Sequence, residues 1–171
     1  MTDFSQYIRH IPDFPKPGIS FKDITPLLNE PRAFRDVIDA MATYFEPKNI
    51  DTIVSIDARG FIFGAALAYR MGVSFVPVRK SGKLPYKTYE ATYDLEYGTD
   101  TLAIHQDAIA KGRRVLICDD VIATGGTLVA SIELVEQLGA EVVGIGILIE
   151  LIALEGRQKL TDYEIFSLIE F

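Results

Sequence analysis

Two neighbouring carboxylates and a glycine-containing turn lie close together in residues 115–127, which read V-L-I-C-D-D-V-I-A-T-G-G-T. Asp119 and Asp120 can accept hydrogen bonds from two adjacent hydroxyls of a ribose, although carboxylates do not bind phosphate. Gly125 and Gly126 lack side chains, so the backbone N–H groups of the turn can approach a phosphate closely. The spacing therefore suits a sugar phosphate, with its diol end and its phosphate end bound a few residues apart.

The turn itself contains small and hydroxyl-bearing residues and opens directly into an apolar-periodic segment, which predicts a helix. Its members are Ala123, Thr124, Gly125, Gly126 and Thr127. The two threonine hydroxyls and the positive end of the helix dipole favour a phosphate at this position. A Walker-type nucleotide loop is excluded because Thr127, and no lysine, follows the glycines. A double Asp alone would more often be a solvated strand end, but the whole string favours a ligand site.

Basic residues follow two other predicted strands. Arg59 lies in D-A-R-G at residues 57–60, and its guanidinium suits bidentate contact with a diphosphate. Arg79, Lys80 and Lys83 form a short basic cluster in an acidic chain. Either motif alone would more often be a solvated surface feature. Beside a sugar-phosphate loop, the cluster is better interpreted as the counter-charge to a diphosphate, in a segment that can close over the ligand.

The elements that position these residues alternate along the chain. Apolar runs predict strands at 52–56, 73–78, 115–119 and 142–149, and apolar periodicity predicts helices from near Asn29, over 61–71, and after Thr127 up to Gly139. Alternating polarity on both sides of Gly98 predicts a hairpin. Gly144 and Gly146 lack the third glycine of a dinucleotide fingerprint and are interpreted as structural. The pattern predicts an α/β fold with a mainly parallel sheet flanked by helices, and ligands bind at the carboxyl ends of such strands.

Length and composition set the broad class. At 171 residues, with 49% hydrophobic and 24% charged residues, the chain is most simply one globular domain spanning 1–171. A net charge of −7 argues against a broad nucleic-acid surface. The longest apolar run, 142–154, is interrupted by Glu150 and is too short to cross a membrane. A single cysteine, placed in an apolar strand, and the absence of a signal-peptide pattern indicate a cytoplasmic protein.

Five motifs carry a resemblance to a known family. They read F-P-K-P-G-I-S-F-K-D-I-T-P-L-L, A-R-G-F-I-F-G, R-K-S-G-K-L-P, L-E-Y-G and V-L-I-C-D-D-V-I-A-T-G-G-T. In this order they resemble the adenine-specific branch of the type I phosphoribosyltransferase family, over nearly the whole chain. The resemblance implies that fold, with a hood arm at 1–30 and a mobile hairpin at 79–104. It also implies transfer of ribose 5-phosphate from phosphoribosyl pyrophosphate to adenine, giving AMP and pyrophosphate, with Mg²⁺ and a homodimer.

The resemblance also implies roles for individual residues. The turn 123–127 would hold the 5′-phosphate, the acid pair would bind the ribose hydroxyls, and the basic residues would face pyrophosphate. In the hood, Phe21 would stack on adenine, and the backbone at Ser20 and Lys22 would contact the edge of the base. Because no cluster in the sequence has protein metal-ligand spacing, Mg²⁺ is expected to arrive with the substrate.

Glu96, in L-E-Y-G, is the candidate catalytic residue, because proton transfer near N7 of adenine must accompany attack by N9. Enclosure by aromatic residues such as Tyr97 would raise the pKa of this carboxyl and let it act as an acid near neutrality. Without the family resemblance, Glu96 would be an ordinary hairpin surface residue. Two alternatives stay open: a phosphoribosyltransferase for hypoxanthine, guanine or xanthine, and a non-catalytic sensor of phosphoribosyl pyrophosphate.

Overall fold

A sheet of seven strands forms the centre of the protein. The computed structural model describes residues 3–94 and 98–171. The strands are β1 Arg9–Ile11, β2 Phe21–Asp23, β3 Thr52–Ile56, β4 Ser74–Lys80, β5 Thr88–Asp94, β6 Thr99–His105, β7 Arg114–Ile122, β8 Glu141–Glu150 and β9 Ile165–Glu170. The α-helices are α1 Thr25–Leu28, α2 Pro31–Phe45, α3 Gly60–Met71 and α4 Gly126–Gln137, and the 3-10 helices are Ser5–Tyr7, Glu46–Lys48, Ile152–Leu154 and Gly156–Leu160.

In the sheet order β5-β6-β4-β3-β7-β8-β9, the five strands from β4 to β9 run parallel to one another, as expected for a chain in which strands and helices alternate. Helix α4 packs on one face of the sheet through Leu128 and Ile132, in one apolar cluster. Helices α2 and α3 pack on the other face through residues such as Met41 and Phe63. Covering both faces explains why β3 is buried along its whole length, and the predicted α/β architecture is confirmed.

The sheet contains one more strand than the sequence predicted, and this strand is the last one along the chain. Residues 142–149 were expected to form the final strand, but β9 follows and pairs in parallel with β8. Burial does not alternate along β9, because Phe166, Ser167 and Leu168 are all half-buried. The short 3-10 helices between β8 and β9 replace the longer α-helical crossover that would have signalled another parallel strand.

The amino-terminal arm contains regular elements although residues 11–28 include four prolines. Strands β1 and β2 form a small antiparallel ladder, in which Ile11 pairs with Phe21, and the four-residue helix α1 follows. Helix α2 begins at Pro31, and the residue preceding it is Glu30, whose side chain accepts a hydrogen bond from the Arg32 N–H. The sequence predicted a helix start near Asn29, and the observed N-cap, Glu30, lies one residue later, a shift that boundary assignment easily produces.

Strand β7 continues past the acid pair. The sequence indicated a strand ending at residue 119, but the ladder with β8 continues through Asp119↔Ile147 to Ile122↔Glu150. Asp119 and Asp120 are consequently buried, with 8% and 6% of their surfaces exposed. The strand end was misplaced because backbone pairing with a long neighbouring strand outweighs the low strand propensity of aspartate.

The hairpin β5–β6 joins the edge of the main sheet through antiparallel pairing of β6 with the end of β4. Leu102, Ala103 and Ile104 are buried in it, so part of this hairpin belongs to the core. A hairpin near Gly98 agrees with this pairing, whereas the mobility of residues 79–104 and the hood role of residues 1–30 stay predictions. Within residues 3–94 and 98–171, no helix has the length and apolar character that crossing a membrane requires.

Glycines in β8 have the structural role that the sequence indicated. A Cβ atom at Gly144 would lie 2.6 Å from Cε1 of Phe45, and one at Gly146 would lie 3.2 Å from Cε2 of the same ring. The two glycines thus make room for Phe45, which α2 inserts against the sheet.

Cys118 is also fully buried, which confirms it as a core residue, and burial raises the pKa of its thiol.

Candidate active site

The carboxyl ends of β3, β4 and β7 meet at one edge of the sheet and enclose a cavity of about 310 Å³. This is the edge at which parallel α/β sheets bind ligands. The lining residues come from the three strand ends, the start of α4 and the β5–β6 hairpin: Ile56, Asp57, Ala58, Arg59, Lys80, Tyr93, Leu102, Asp119, Asp120 and Thr127. Five of the predicted site residues are therefore brought together here, namely Arg59, Lys80, Asp119, Asp120 and Thr127.

The acid pair is the most buried charged group of the cavity. Oδ1 of Asp119 accepts a hydrogen bond of 2.9 Å from the backbone N–H of Asp120. Arg59 places Nε 2.8 Å from Oδ2 of Asp120, but the approach is not aligned as a hydrogen bond. Among the described residues, Oδ2 of Asp120 therefore has no hydrogen-bond donor. A ligand hydroxyl could supply one.

Burial also changes the protonation of the pair. Removal from water, and then the charge of Asp120, raise the pKa of Asp119 well above its ordinary range. Removal from water raises the pKa of Asp120 as well, while the neighbouring Arg59 guanidinium opposes this rise. The two carboxyl groups are thus poorly solvated in the free protein, so donors on a ligand would stabilise their charged forms.

Gly60 lets the start of α3 pack directly against the acid pair. A Cβ atom at this position would lie 2.6 Å from Oδ1 of Asp119 and 3.2 Å from Oγ of Ser55. Arg59 immediately precedes the helix, so this close contact fixes where its guanidinium reaches the cavity. The glycine in D-A-R-G therefore serves this close approach.

The predicted phosphate turn joins β7 to α4. Gly125 adopts φ +80°, a left-handed conformation that favours glycine, and it directly precedes α4. Ala123 and Thr124 link it to the strand, and the first N–H groups of α4 are available to an anion. At Gly126, a Cβ atom would lie 3.2 Å from Cδ2 of Tyr93, so the hairpin covers this side of the turn.

The basic cluster is held by carboxylates. Nε of Arg79 lies 2.8 Å from Oδ2 of Asp57, and Nζ of Lys80 lies 2.7 Å from Oδ2 of Asp100. Arg79 also donates a hydrogen bond of 3.3 Å to the backbone carbonyl of Lys83. Arg79 thus adjoins the cavity through Asp57, whereas Lys83 is not among the residues that line it.

The hood residues divide between two sides of β2. Phe21 lies over the guanidinium of Arg59, with 5.1 Å between the ring centroid of Phe21 and Cζ of Arg59. The ring of Phe14 packs edge-on against the ring of Phe21. Nζ of Lys22 instead lies 3.0 Å from Nδ1 of His10 and donates a hydrogen bond of 3.4 Å to Oγ of Ser20. Alternation along the strand explains the division. Only Phe21 is connected to the cavity by these contacts.

Three positions that sequence reasoning had not assigned contribute to the site. Asp57 and Asp100 hold the basic cluster, and Tyr93 lines the cavity. Alternation in β5 gave a partial signal for Tyr93, because it shares a face with the buried Ala91. Glu96 lies outside the described residues. Within the described part of the chain, no group of three or more His, Cys, Asp or Glu side chains could hold a metal ion.

Comparisons with known proteins agree with this geometry. The model of the phosphoribosyl transferase domain matches residues 23–171. An adenine phosphoribosyltransferase from Roseiflexus sp. is 54% identical over 170 residues, which cover 99% of each chain. The crystal structure of adenine phosphoribosyltransferase from Thermoanaerobacter pseudethanolicus is 56% identical, with a TM-score of 0.96 over 98% of both chains. The enzyme from Saccharomyces cerevisiae, complexed with an imino-altritol bisphosphate and adenine, is 43% identical, with a TM-score of 0.91 over 96% of this chain and 97% of that one.

Proposed function

Because the chain belongs to the phosphoribosyl transferase family, we propose that the cavity at the ends of β3, β4 and β7 is its active site. The protein is an enzyme that transfers the 5-phosphoribosyl group from phosphoribosyl pyrophosphate to adenine, giving AMP and pyrophosphate. The observation that supports this location best is the meeting of Asp119, Asp120, Thr127 and two cations in one cavity.

The phosphoribosyl group is held at its two ends. In our proposal the 5′-phosphate lies on the turn 123–127, where the start of α4 offers free N–H groups and Thr124 and Thr127 offer hydroxyls. Asp119 and Asp120 accept hydrogen bonds from the ribose hydroxyls, which supplies the donor that Oδ2 of Asp120 lacks among the described residues. These hydrogen bonds replace the ones to water that the two buried carboxyl groups have lost.

The leaving diphosphate meets the basic side of the cavity. Arg59 and Lys80 face it from the cavity wall, while Arg79 and Lys83 add positive charge from the end of β4 and the turn beyond. As the bond from the anomeric carbon to the diphosphate breaks and the bond to N9 of adenine forms, negative charge grows on the departing oxygens. Fixed cations at that position stabilise the transition state more than the ground state.

Mg²⁺ fits this site as a companion of the substrate. Phosphoribosyl transfer generally uses it, and the diphosphate and ribose oxygens of the substrate are the hard ligands that Mg²⁺ prefers. The ion would therefore arrive with the substrate, and the buried carboxyl groups of Asp119 and Asp120 would favour its positive charge nearby. When bound, it neutralises charge on the diphosphate.

Adenine lies between the phosphoribosyl site and the amino-terminal arm in this proposal. Phe21 already stacks on Arg59 at the mouth of the cavity, so its ring is placed to cover a flat base. The backbone at Ser20 and Lys22 contacts the edge of the base. The side chain of Lys22 is engaged by His10, which leaves recognition at this position to the backbone.

In this proposal, Glu96 acts as the acid near N7 of adenine as N9 attacks the anomeric carbon. Glu96→Gln keeps the size of the side chain and removes its acid function, so we expect turnover to fall by roughly 100-fold. The KM values for both substrates should change little, because the substitution does not alter the phosphate or ribose contacts. Steady-state kinetics on the purified variant measure both quantities. Turnover equal to that of the unsubstituted enzyme would remove Glu96 from the mechanism.

The experiment that tests the proposed function measures pyrophosphate release from phosphoribosyl pyrophosphate with adenine, hypoxanthine, guanine and xanthine in separate reactions. Parallel reactions without Mg²⁺ test the metal. Activity with adenine alone is the expected result. Activity with an oxopurine would keep the sugar-phosphate site and overturn the base contacts. Ligand binding without turnover on any base would identify a sensor of phosphoribosyl pyrophosphate.

Assembly and location extend the proposal. The family resemblance favours a homodimer, which sedimentation at micromolar protein concentration would distinguish from a monomer. The single, buried Cys118 favours a reducing compartment and hence the cytoplasm, which fractionation of cells producing the protein would test.

A further inference from the structure

Two stretches of backbone meet directly behind the phosphate turn. Gly125 belongs to the turn, and Gly156 begins the 3-10 helix that lies between β8 and β9. A Cβ atom at Gly156 would overlap the carbonyl oxygen of Ala123 and lie 2.9 Å from the backbone nitrogen of Gly125. A Cβ atom at Gly125 would lie 2.6 Å from the carbonyl oxygen of Gly156. Neither position has room for a side chain, so the turn rests on Gly156.

The residue after Gly156 anchors this contact to the sheet. Nε of Arg157 donates a hydrogen bond of 2.8 Å to Oε1 of Glu150, and Nη2 donates to the other carboxylate oxygen. Nη1 donates at 3.1 Å to the carbonyl of Ile165, and Oγ of Ser167 donates at 2.8 Å to Glu150. Glu150 is 7% exposed and ends β8. Arg157 therefore ties the short helix to β8 and β9 at once.

We propose that Gly156, held in place by Arg157, positions the turn 123–125 for the 5′-phosphate of the substrate. This inference rests on the proposed function. Neither residue lines the cavity, so both act through the turn and are positioning residues. Backbone N–H groups bind a phosphate well only when they point at the same place. The backbone of Gly156, packed against Ala123 and Gly125, holds the turn in that arrangement.

The proposal predicts a selective defect. Displacing the turn weakens contacts to the 5′-phosphate, so affinity for ribose 5-phosphate and for phosphoribosyl pyrophosphate falls. In the proposed function adenine lies on the side of the cavity nearest Phe21 and the amino-terminal arm, away from the phosphate turn, so its KM is unaffected. A substitution that merely loosened the fold would instead lower the melting temperature without separating the two substrates.

Gly156→Ala tests this with a single methyl group. The φ of Gly156 is not in the left-handed region, so the substitution acts through overlap with the turn. We expect the Kd for ribose 5-phosphate, measured by calorimetry, and the KM for phosphoribosyl pyrophosphate to rise on the order of tenfold or more. The KM for adenine should stay within about twofold.

Gly144→Ala is the matched control, because it forces a comparable overlap with Phe45 inside the core. It should lower the melting temperature and leave the Kd for ribose 5-phosphate unchanged. If folded Gly156→Ala protein binds ribose 5-phosphate as tightly as the unsubstituted protein, the inference is wrong. Failure of the unsubstituted protein to bind ribose 5-phosphate would instead contradict the proposed function.

Arg157→Lys decides the matter if Gly156→Ala does not fold. Lysine keeps the charge beside Glu150 and loses the bidentate geometry, so the short helix is held less firmly. We expect the Kd for ribose 5-phosphate to rise by about threefold to tenfold with an unchanged KM for adenine. Equal changes for both substrates, or none for either, would overturn the positioning role.

Discussion

Three of the cations at the mouth of the proposed active site each have a carboxylate partner. The pairs are Arg59 with Asp120, Arg79 with Asp57, and Lys80 with Asp100. A diphosphate must therefore compete with these carboxylates for the same donors. The pairing keeps the cations in place between turnovers, and it also reduces the free energy that binding of a diphosphate releases.

The pair formed by Lys80 and Asp100 is the most exposed of the three, since 63% of the Lys80 side chain is accessible to solvent. Asp100→Asn frees Lys80, and the amide oxygen can still accept the hydrogen bond from the N–H of Thr101. Because exposed pairs are worth less than about 1 kcal/mol, we expect the Kd for pyrophosphate to fall by about twofold to fivefold. Calorimetry with pyrophosphate measures this change.

Asp39→Asn controls for the change in net charge. It removes the partner of Arg70 on the surface, where Nε and Oδ1 are 2.6 Å apart, and neither residue lines the active site. The Kd for pyrophosphate should stay the same in this variant. Weaker or equal binding of pyrophosphate by the Asp100→Asn variant would show that Asp100 does not compete with the ligand.

At the scale of elements, the bounds of strands and helices were predicted best where the apolar pattern and the flanking residues indicate the same end. Strand β3 has the bounds that its apolar run indicated, and α3 ends before Gly72, whose φ of +69° stops the helix. Strand β9 was missed because short 3-10 helices, which carry no apolar periodicity, precede it. Hydrophobic patterns reveal elements that bury one regular face, and β9 has no such face.

The site was predictable where one continuous stretch supplies it. The residues from Asp119 to Thr127 are joined by a strand end and a helix start, so their proximity follows from local structure. Tyr93 reaches the cavity, and Asp100 reaches Lys80, only because β5 pairs with β6 and β6 with β4 in a particular register, such as Lys80 opposite Leu102. Register between distant segments is not encoded in any short motif, so these partners could not be found beforehand.

The link between β8, the 3-10 helix Gly156–Leu160 and β9 predicts a pH dependence of stability. Hydrogen bonds from Arg157, and then from Ser167, hold the pKa of Glu150 below its ordinary value of 4.5. A lowered pKa in the folded state contributes stability above the unfolded value, and this contribution is lost as the pH falls through the folded pKa. Glu150→Gln should therefore lower the free energy of unfolding by about 2 kcal/mol at neutral pH.

The difference between the two proteins should begin to shrink below about pH 4.5, where Glu150 of the unfolded chain takes up a proton, and it is lost as the pH falls through the lower pKa of the folded state. Urea unfolding at pH 7 and at pH 4 measures it. Glu46→Gln is the control, because Glu46 is an exposed carboxyl group remote from Arg157, and it should change stability little at either pH. A deficit for Glu150→Gln that is the same at both values would show that the ion pair does not contribute through its charge.

At the scale of the whole molecule, the proposed active site joins elements that are distant in sequence. The acid pair and the turn come from β7 and the start of α4, the cations from the segment between β3 and α3 and from the end of β4, and the aromatic side chains of Phe21 and Tyr93 from β2 and β5. A ligand that contacts all of these elements binds only the folded chain. Binding should therefore stabilise the entire domain, since unfolding of any one of these elements destroys the site.

AMP should raise the melting temperature of the protein more than GMP does. At about 100 times its Kd, a ligand adds roughly 2.7 kcal/mol, and each kcal/mol shifts the melting temperature of a chain of this size by about 2–4 °C. We therefore expect a shift of roughly 5–10 °C with AMP. GMP shares the ribose 5-phosphate but presents a carbonyl where AMP presents an amine, so its shift at the same concentration should be close to that of ribose 5-phosphate alone. Thermal unfolding with the three ligands measures these shifts. A GMP shift equal to that of AMP would mean that the hood around Phe21 does not distinguish the two bases.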